Sequence, residues 1–167
     1  MGIFSFIKDA GEKLFGKDKE KEEENIEITE AKKEIIRKEN AKASQRLLDT
    51  IKGLGLTVEN PVIDIEGNTA IIYGLADTQA VREKIVLVVG NSEGIAKVDD
   101  RLAVKIESPE AGFHTVERGE NLSKIAKEHY GDANKYTMIF EANKPMLKDP
   151  DRIYPGQVLR IPRLEQK

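Results

Sequence analysis

The chain has 167 residues and a formal net charge of −3, and 34% of its residues are charged while only 5% are aromatic. A composition this polar does not support one large core, so we expect two small domains. The acidic balance provides no broad positive field of the kind that nucleic-acid-binding proteins use, and we expect no nucleic-acid partner. Because the chain has no cysteine, disulfides, thiolate nucleophiles and thiolate metal sites are excluded.

Residues 1–15 predict a short amphipathic helix. Its apolar residues recur at helical spacing, with charged residues on the other face: Ile3, Phe4, Phe6, Ile7, Ala10 and Leu14. The apolar run stops at Lys8 without a preceding basic region, which argues against a secretory signal. No segment approaches the roughly 20 apolar residues that span a bilayer. We therefore expect a cytoplasmic protein.

Residues 16–40 predict a charged linker or an exposed helical spacer. Lys and Glu dominate this segment, and its few large apolar residues cannot form a core. Opposite charges three or four residues apart, such as Glu30 with Lys33, favour partial helix formation.

Residues 41–107 predict a domain with the order helix, strand, strand, helix, strand. An apolar face over Ala43–Leu54 forms the first helix, and Gly67-Asn68 is a hairpin signal between two apolar runs. Asp77 or Thr78 caps a second helix that ends at Gly90. Alternating apolar residues then form the last strand.

This element order resembles the BON domain, and the segment Gly94–Leu102 is similar to its closing segment. BON domains occur mainly in bacterial envelope and stress proteins and are usually associated with phospholipid binding. The resemblance implies a fold rather than a ligand.

After a linker at residues 108–112, residues 113–163 predict the order strand, helix, helix, strand. Asn121 and Asp132 are the expected helix caps, and Tyr154-Pro155-Gly156-Gln157 has the Pro and Gly of a type II turn. The segments 116–126, 139–143 and 153–162 resemble the LysM domain. The predicted fold class is therefore α+β, with an αββαβ domain, a βααβ domain and the amino-terminal helix.

The LysM family generally binds glycans that contain N-acetylglucosamine, in a groove between two loops. The resemblance implies a binding set in this chain: Arg118, Gly119, Glu120, Asn121, Asn143, Lys144, Ile153 and Tyr154. Polar groups in such a groove bind an N-acetyl group, and apolar side chains contact the sugar face. Alternatively, the glycines shape turns and Asn121 only caps a helix. An envelope anchor that binds peptidoglycan is the functional alternative that this set supports.

The glycine-containing loop Gly90–Gly94 follows the carboxyl end of a predicted helix. Unpaired carbonyls and the negative end of the helix dipole favour a cation there over a phosphate. Neutral carbonyls suit a large, weakly hydrated ion such as potassium, whereas calcium and magnesium sites draw on carboxylates. The alternative is a plain helix stop followed by a turn.

Over nearly its whole length, the chain resembles a family of small cytoplasmic bacterial potassium-binding proteins built from BON and LysM domains. The similar segments are residues 1–14, 89–96 and 140–148. The resemblance implies potassium held by main-chain carbonyls from the first helix and the later loop: Ile7, Ala10, Glu12, Gly90, Ser92 and Ile95. Ser92 stands where the family pattern is apolar. We expect a monomeric potassium sensor or buffer that becomes more compact when the ion binds.

Catalytic residues are not evident. His114 and His129 are interpreted as packing or surface residues, and the pair Asp99-Asp100 as part of a solvated strand. We expect no enzymatic activity. A scaffold that presents both domains to protein partners is a third, less favoured function.

Overall fold

The computed structural model describes residues 2–5 and 30–164, which form an α+β fold. Its strands and helices, in chain order, are β1 (Gly2–Ser5), α1 (Glu30–Gly53), β2 (Val58–Glu66), β3 (Thr69–Thr78), α2 (Gln79–Gly90), β4 (Lys97–Ile106), β5 (Gly112–Thr115), α3 (Leu122–Tyr130), a 3-10 helix (Ala133–Lys135), α4 (Tyr136–Ala142) and β6 (Val158–Ile161). The elements predicted for residues 41–107 and 113–163 are thus confirmed in type and order.

The amino-terminal unit is a four-stranded sheet with the strand order β1-β4-β3-β2. Strands β3 and β4 are parallel, which requires the crossover that α2 supplies, and the other two pairings are antiparallel. Helices α1 and α2 share one apolar cluster with the sheet, whose fully buried members include Ile72, Ile85 and Val98.

The helix predicted for residues 1–15 is wrong at Gly2–Ser5, which form an edge strand. Ser5 lies opposite Lys97 and Gly2 opposite Asp100, antiparallel to β4. This pairing satisfies backbone groups that β4 would otherwise present at an open sheet edge. The local residues Ile3 and Phe4 are also compatible with a strand. Residues 6–29 lie outside the described part of the chain.

Helix α1 is longer than the sequence predicted, because it begins at Glu30 rather than Ala43. Its first ten residues are mostly exposed and carry ion pairs one turn apart, such as Lys33 with Glu30 at 3.2 Å. The helix meets the sheet at Asn40, whose Nδ2 donates to the carbonyl of Ile65 at 3.1 Å. The charged segment therefore continues directly into the helix of the domain.

Helix α2 is buried on more than one side. The hydroxyl of Thr78 caps it by accepting from the backbone N–H of Val81 at 3.1 Å, as predicted. Every residue from Ile85 to Gly90 is buried, whereas the sequence predicted a single apolar stripe. An apolar helix surface that extends all round indicates packing on several sides. The second layer comes from β6, whose Val158 belongs to the apolar cluster of the sheet.

Asp100 is buried, which corrects its assignment to a solvated strand. The residue is 3% exposed. Its Oδ2 accepts from Arg82 Nε at 2.9 Å, and its Oδ1 accepts from the N–H of Leu102 at 3.0 Å. A buried carboxylate requires such partners because desolvation disfavours the charge.

The carboxyl-terminal unit has its own apolar cluster, centred on Ile125, Ile139 and Leu159. Strands β5 and β6 pair antiparallel, with His114 opposite Leu159. The expected turn is confirmed, because the N–H of Gln157 donates to the carbonyl of Tyr154 at 3.1 Å and Gly156 has a φ of 89°. Within residues 2–5 and 30–164, none of the helices combines the length and the apolar character that a membrane crossing requires.

Gly74 marks a close approach between β3 and an irregular part of β2. The register between these strands shifts between Glu59 and Val62. A Cβ at position 74 would lie 2.9 Å from Val58 Cγ2 and 3.1 Å from the carbonyl oxygen of Glu59, and the φ of Gly74 is +146°. Both the contact and the dihedral require glycine.

We therefore expect Gly74→Ala to lower the free energy of unfolding by about 1–3 kcal/mol. Gly53→Ala is the matched control, since an added Cβ there meets nothing within 4 Å. Urea unfolding followed by circular dichroism measures both variants. Equal stabilities for the two variants would contradict the close approach.

Candidate functional site

The last residue of α2 and the loop that joins this helix to β4 contain the three described members of the predicted ion site, Gly90, Ser92 and Ile95. The N–H of Asn91 donates to the carbonyl of Leu87 at 2.9 Å, and the N–H of Ser92 donates to that of Val89 at 3.1 Å. These bonds engage the carbonyls of the last helical turn. Gly90 follows them at the negative end of the helix dipole, where a cation is favoured.

The other three predicted ligands, Ile7, Ala10 and Glu12, lie outside the described residues. Strand β1, which ends two residues before Ile7, nevertheless has a defined position beside β4. Ser5 lies opposite Lys97, which follows Ile95 by two residues, and Ser5 precedes Ile7 by two residues. Because the strands are antiparallel, the carboxyl end of β1 lies beside the end of the loop.

Asn91 connects this loop to the carboxyl-terminal unit. Its Nδ2 donates to the carbonyl of Val158 at 2.9 Å, and its Oδ1 accepts from the N–H of Val158 at 2.9 Å. A carboxamide offers the same donor and acceptor as a peptide group. The side chain of Asn91 therefore pairs with the outer edge of β6 much as a neighbouring strand would.

Asn143 occupies the next position along the same edge of β6. Its Oδ1 accepts from the N–H of Arg160 at 2.7 Å, and its Nδ2 donates to the carbonyl of Arg160 at 2.8 Å and to that of Ile139 at 2.7 Å. The residue is 1% exposed. Its amide is thus committed to holding β6 and is removed from the predicted glycan surface.

Glu83 provides a second connection between the units, near the start of α2. Its Oε1 accepts from Arg160 Nε at 3.1 Å, and its Oε2 accepts from the N–H of Ala111 at 2.9 Å. Both side chains are largely buried, at 5% and 14% exposure for Glu83 and Arg160. Removing one partner would leave the other charge buried and unpaired, so loss of either side chain should destabilise the docked arrangement.

Two cations, Lys84 and Arg160, lie near each other at this junction. Partial burial lowers the pKa of Lys84, the neighbouring charge of Arg160 lowers it further, and Glu141 acts in the opposite direction. Glu83 and Glu141 therefore balance two cations from opposite sides of the junction.

A cleft of about 460 Å³ lies between the two units. The ends of α1 and α2 form one wall, and the chain around Met146 and Tyr154 forms the other: Thr50, Leu54, Asn91, Ser92, Met146, Lys148, Arg152 and Tyr154. Ser92 from the predicted ion site and Tyr154 from the predicted glycan site thus line one cleft.

Five of the predicted glycan residues present exposed surface: Arg118, Gly119, Asn121, Lys144 and Tyr154. The Nζ of Lys144 lies 4.8 Å from the centre of the Phe140 ring. Ile153 packs against the apolar cluster of its unit.

Two members of the glycan set, Asn121 and Glu120, have structural partners within the unit. The Oδ1 of Asn121 caps α3 by accepting from the N–H of Lys124 at 2.8 Å, which confirms the predicted cap. Glu120 is held by the N–H of Glu117 and by His114 Nε2, each at 2.8 Å. Desolvation raises the pKa of Glu120, but these contacts outweigh it and the net pKa lies below the usual value.

Sequence reasoning missed the three side chains that join the units, Glu83, Asn91 and Arg160. Asn91 pairs with a strand 67 residues away. No local pattern identifies such a partner. The only signal was an asparagine directly after the buried helix end.

Comparison with known proteins gives two kinds of match. Residues 114–162 match the LysM domain family. The chain is 42% identical over 165 residues to the potassium binding protein Kbp of Escherichia coli O6:H1, covering 97% of this chain and 99% of that protein. It is also 31% identical over 136 residues to an uncharacterized protein of Deinococcus radiodurans, covering 74% of this chain and 53% of that protein.

We expect Asn91→Ala to lower the free energy of unfolding by about 1–3 kcal/mol, because Val158 loses both partners at a partly buried position. Asn134→Ala, at an exposed position away from the junction, is the control and should change it by less than about 0.5 kcal/mol. Urea unfolding provides the comparison. An Asn91→Ala stability equal to that of the control would contradict a structural role for this pairing.

Proposed function

The chain belongs to the family of the potassium binding protein Kbp, and from this membership we propose that it is a non-enzymatic potassium-binding protein. The relative of that name is similar along nearly its entire length. The position of Asn91 is the observation that best supports this proposal. It lies between the proposed ligands Gly90 and Ser92, and its side chain holds the carboxyl-terminal unit.

In this proposal the ion is bound by the main-chain carbonyls of Ile7, Ala10, Glu12, Gly90, Ser92 and Ile95. The carboxyl end of α2 supports a cation at Gly90. The pairing of Ser5 with Lys97 brings a residue two positions before Ile7 beside one two positions after Ile95. This supports a site that combines ligands from both segments. Carbonyl oxygens match potassium because they replace the loosely held hydration shell of a large ion.

Binding is proposed to couple to the docking of the two units. An ion that draws in the carbonyls of Gly90 and Ser92 restricts the backbone of Asn91, and Asn91 orients the amide that pairs with β6. A ligand that binds the docked state more tightly shifts the population toward it. We propose that the ion-binding unit is a BON domain and that the protein acts as a monomeric sensor or buffer. We also propose that it lies in the cytoplasm, and cell fractionation tests this location.

Calorimetric titration of the salt-free protein with potassium, and separately with sodium at matched ionic strength, tests ion binding. We expect saturable heat with potassium alone, because sodium is smaller and more strongly hydrated. Amide shifts should concentrate at Gly90–Ile95. The absence of a saturable potassium response would reject the proposal.

Ligation by carbonyls predicts a contrast between two substitutions in the loop. Ser92→Ala removes only a hydroxyl that donates to the carbonyl of Val88, so potassium affinity should change little. Gly90→Pro alters the backbone at a proposed ligand and should weaken binding more. Circular dichroism first verifies that the proline variant folds. Equal affinities in the two folded variants would contradict carbonyl ligation at Gly90.

Coupling is tested at a residue remote from the loop. Arg160→Ala removes the contact with Glu83, and reciprocity requires weaker docking to lower potassium affinity, by about 5-fold or more for a typical coupling. Arg163→Ala, at an exposed position, is the control. Small-angle scattering should show a smaller radius of gyration with potassium in the wild-type protein. Unchanged affinity in Arg160→Ala would reject coupling while leaving ion binding intact.

A second candidate function, glycan binding in the envelope, is supported by the LysM match over residues 114–162. The exposed ring of Tyr154, with 48% of the residue accessible, offers a surface for a sugar face. Sedimentation with purified peptidoglycan tests this function. Retention of the wild-type protein that is lost in Tyr154→Ala would favour the anchor, and no retention would reject it.

A further inference from the structure

The two histidines of the chain lie side by side on the carboxyl-terminal unit. His114 is in β5 and His129 is in α3, and the fold brings His114 Nδ1 to 3.1 Å from His129 Nε2. The two rings are nearly perpendicular, at 89°. Each ring thus brings one nitrogen close to a nitrogen of the other.

Glu128 adds an oxygen to this pair. One of its carboxylate oxygens and one nitrogen of each ring all lie within 4.8 Å of one another. Glu128 and His129 are exposed, whereas the side chain of His114 is only 12% accessible. The cluster therefore combines an anchored ligand with two ligands that solvent reaches.

Glu120 orients the anchored histidine. Its Oε2 lies 2.8 Å from His114 Nε2 and is itself held by the N–H of Glu117. A carboxylate accepts hydrogen bonds, so this contact places the ring proton on Nε2 and a lone pair on Nδ1. Metal-bound histidines commonly have their second nitrogen held by a carboxylate in this way.

The spacing fits one class of ion. Two imidazole nitrogens bound to a tetrahedral zinc ion at about 2.0–2.1 Å lie about 3.3 Å apart, close to the 3.1 Å observed here. Imidazole with carboxylate suits zinc and similar transition ions, whereas potassium, calcium and magnesium prefer all-oxygen ligands.

We propose that His114, His129 and Glu128 bind a divalent transition-metal ion of the zinc type, with Glu120 as a positioning residue. The ion would link β5 to α3 beside the loop 117–121. Because none of these residues belongs to the proposed potassium set, this site is independent of the proposed potassium binding.

Titration of tag-free protein with cobalt chloride and zinc chloride, at constant potassium, tests the site. We expect one ion per chain, visible cobalt absorption typical of tetrahedral coordination, zinc-dependent shifts of both imidazole spectra in NMR, and a higher Tm with zinc. Binding that leaves either imidazole spectrum unchanged would overturn the assignment, as would the absence of saturable zinc binding.

Single substitutions at the ligands and at Glu120 make the test specific. His129→Ala and Glu128→Gln should each weaken zinc binding by about tenfold or more, and Glu120→Gln by about 10–100-fold. Lys127→Ala, exposed on the same helix, is the control and should retain wild-type affinity. Wild-type affinity in His129→Ala would show that the two histidines form only a hydrogen-bonded pair. Wild-type affinity in Glu120→Gln would remove its positioning role.

Discussion

The pairing of the Asn91 side chain with the backbone of Val158 is the contact on which the arrangement of the two units depends. It closes the outer edge of β6 with groups from the end of α2. A short two-stranded sheet with an open edge would be a weak element by itself. With Asn91 and Asn143 in place, β6 has partners along both edges, and Val158 enters the core of the amino-terminal unit.

Helix α2 serves both units at once. Toward the sheet it supplies the parallel crossover between β3 and β4, and toward β6 it presents Glu83 and the buried residues that end at Gly90. A displacement at the end of this helix therefore alters the packing of both units, because packed interiors transmit small displacements. This gives a physical basis for the proposed link between an ion in the loop and the docking of the carboxyl-terminal unit, which contains the LysM match.

The LysM unit retains its family fold, yet several residues implied for glycan recognition have other partners in this chain. Asn143 holds β6, Asn121 caps α3, and Glu120 is bound to His114. Exposed surface remains at Arg118 and Tyr154. The side chains of Asn143, Asn121 and Glu120 thus stabilise the unit itself.

Local patterns in the sequence determined most of the secondary structure, including the hairpin at Gly67-Asn68, the caps at Thr78 and Asn121 and the turn before Gln157, because these features depend on neighbouring residues. Tertiary structure decided the rest. Gly2–Ser5 form a strand because β4 offers an edge, Asp100 is buried because Arg82 reaches it, and His114 meets His129 because β5 lies beside α3. These outcomes depend on partners distant in sequence, which periodicity within a segment does not encode.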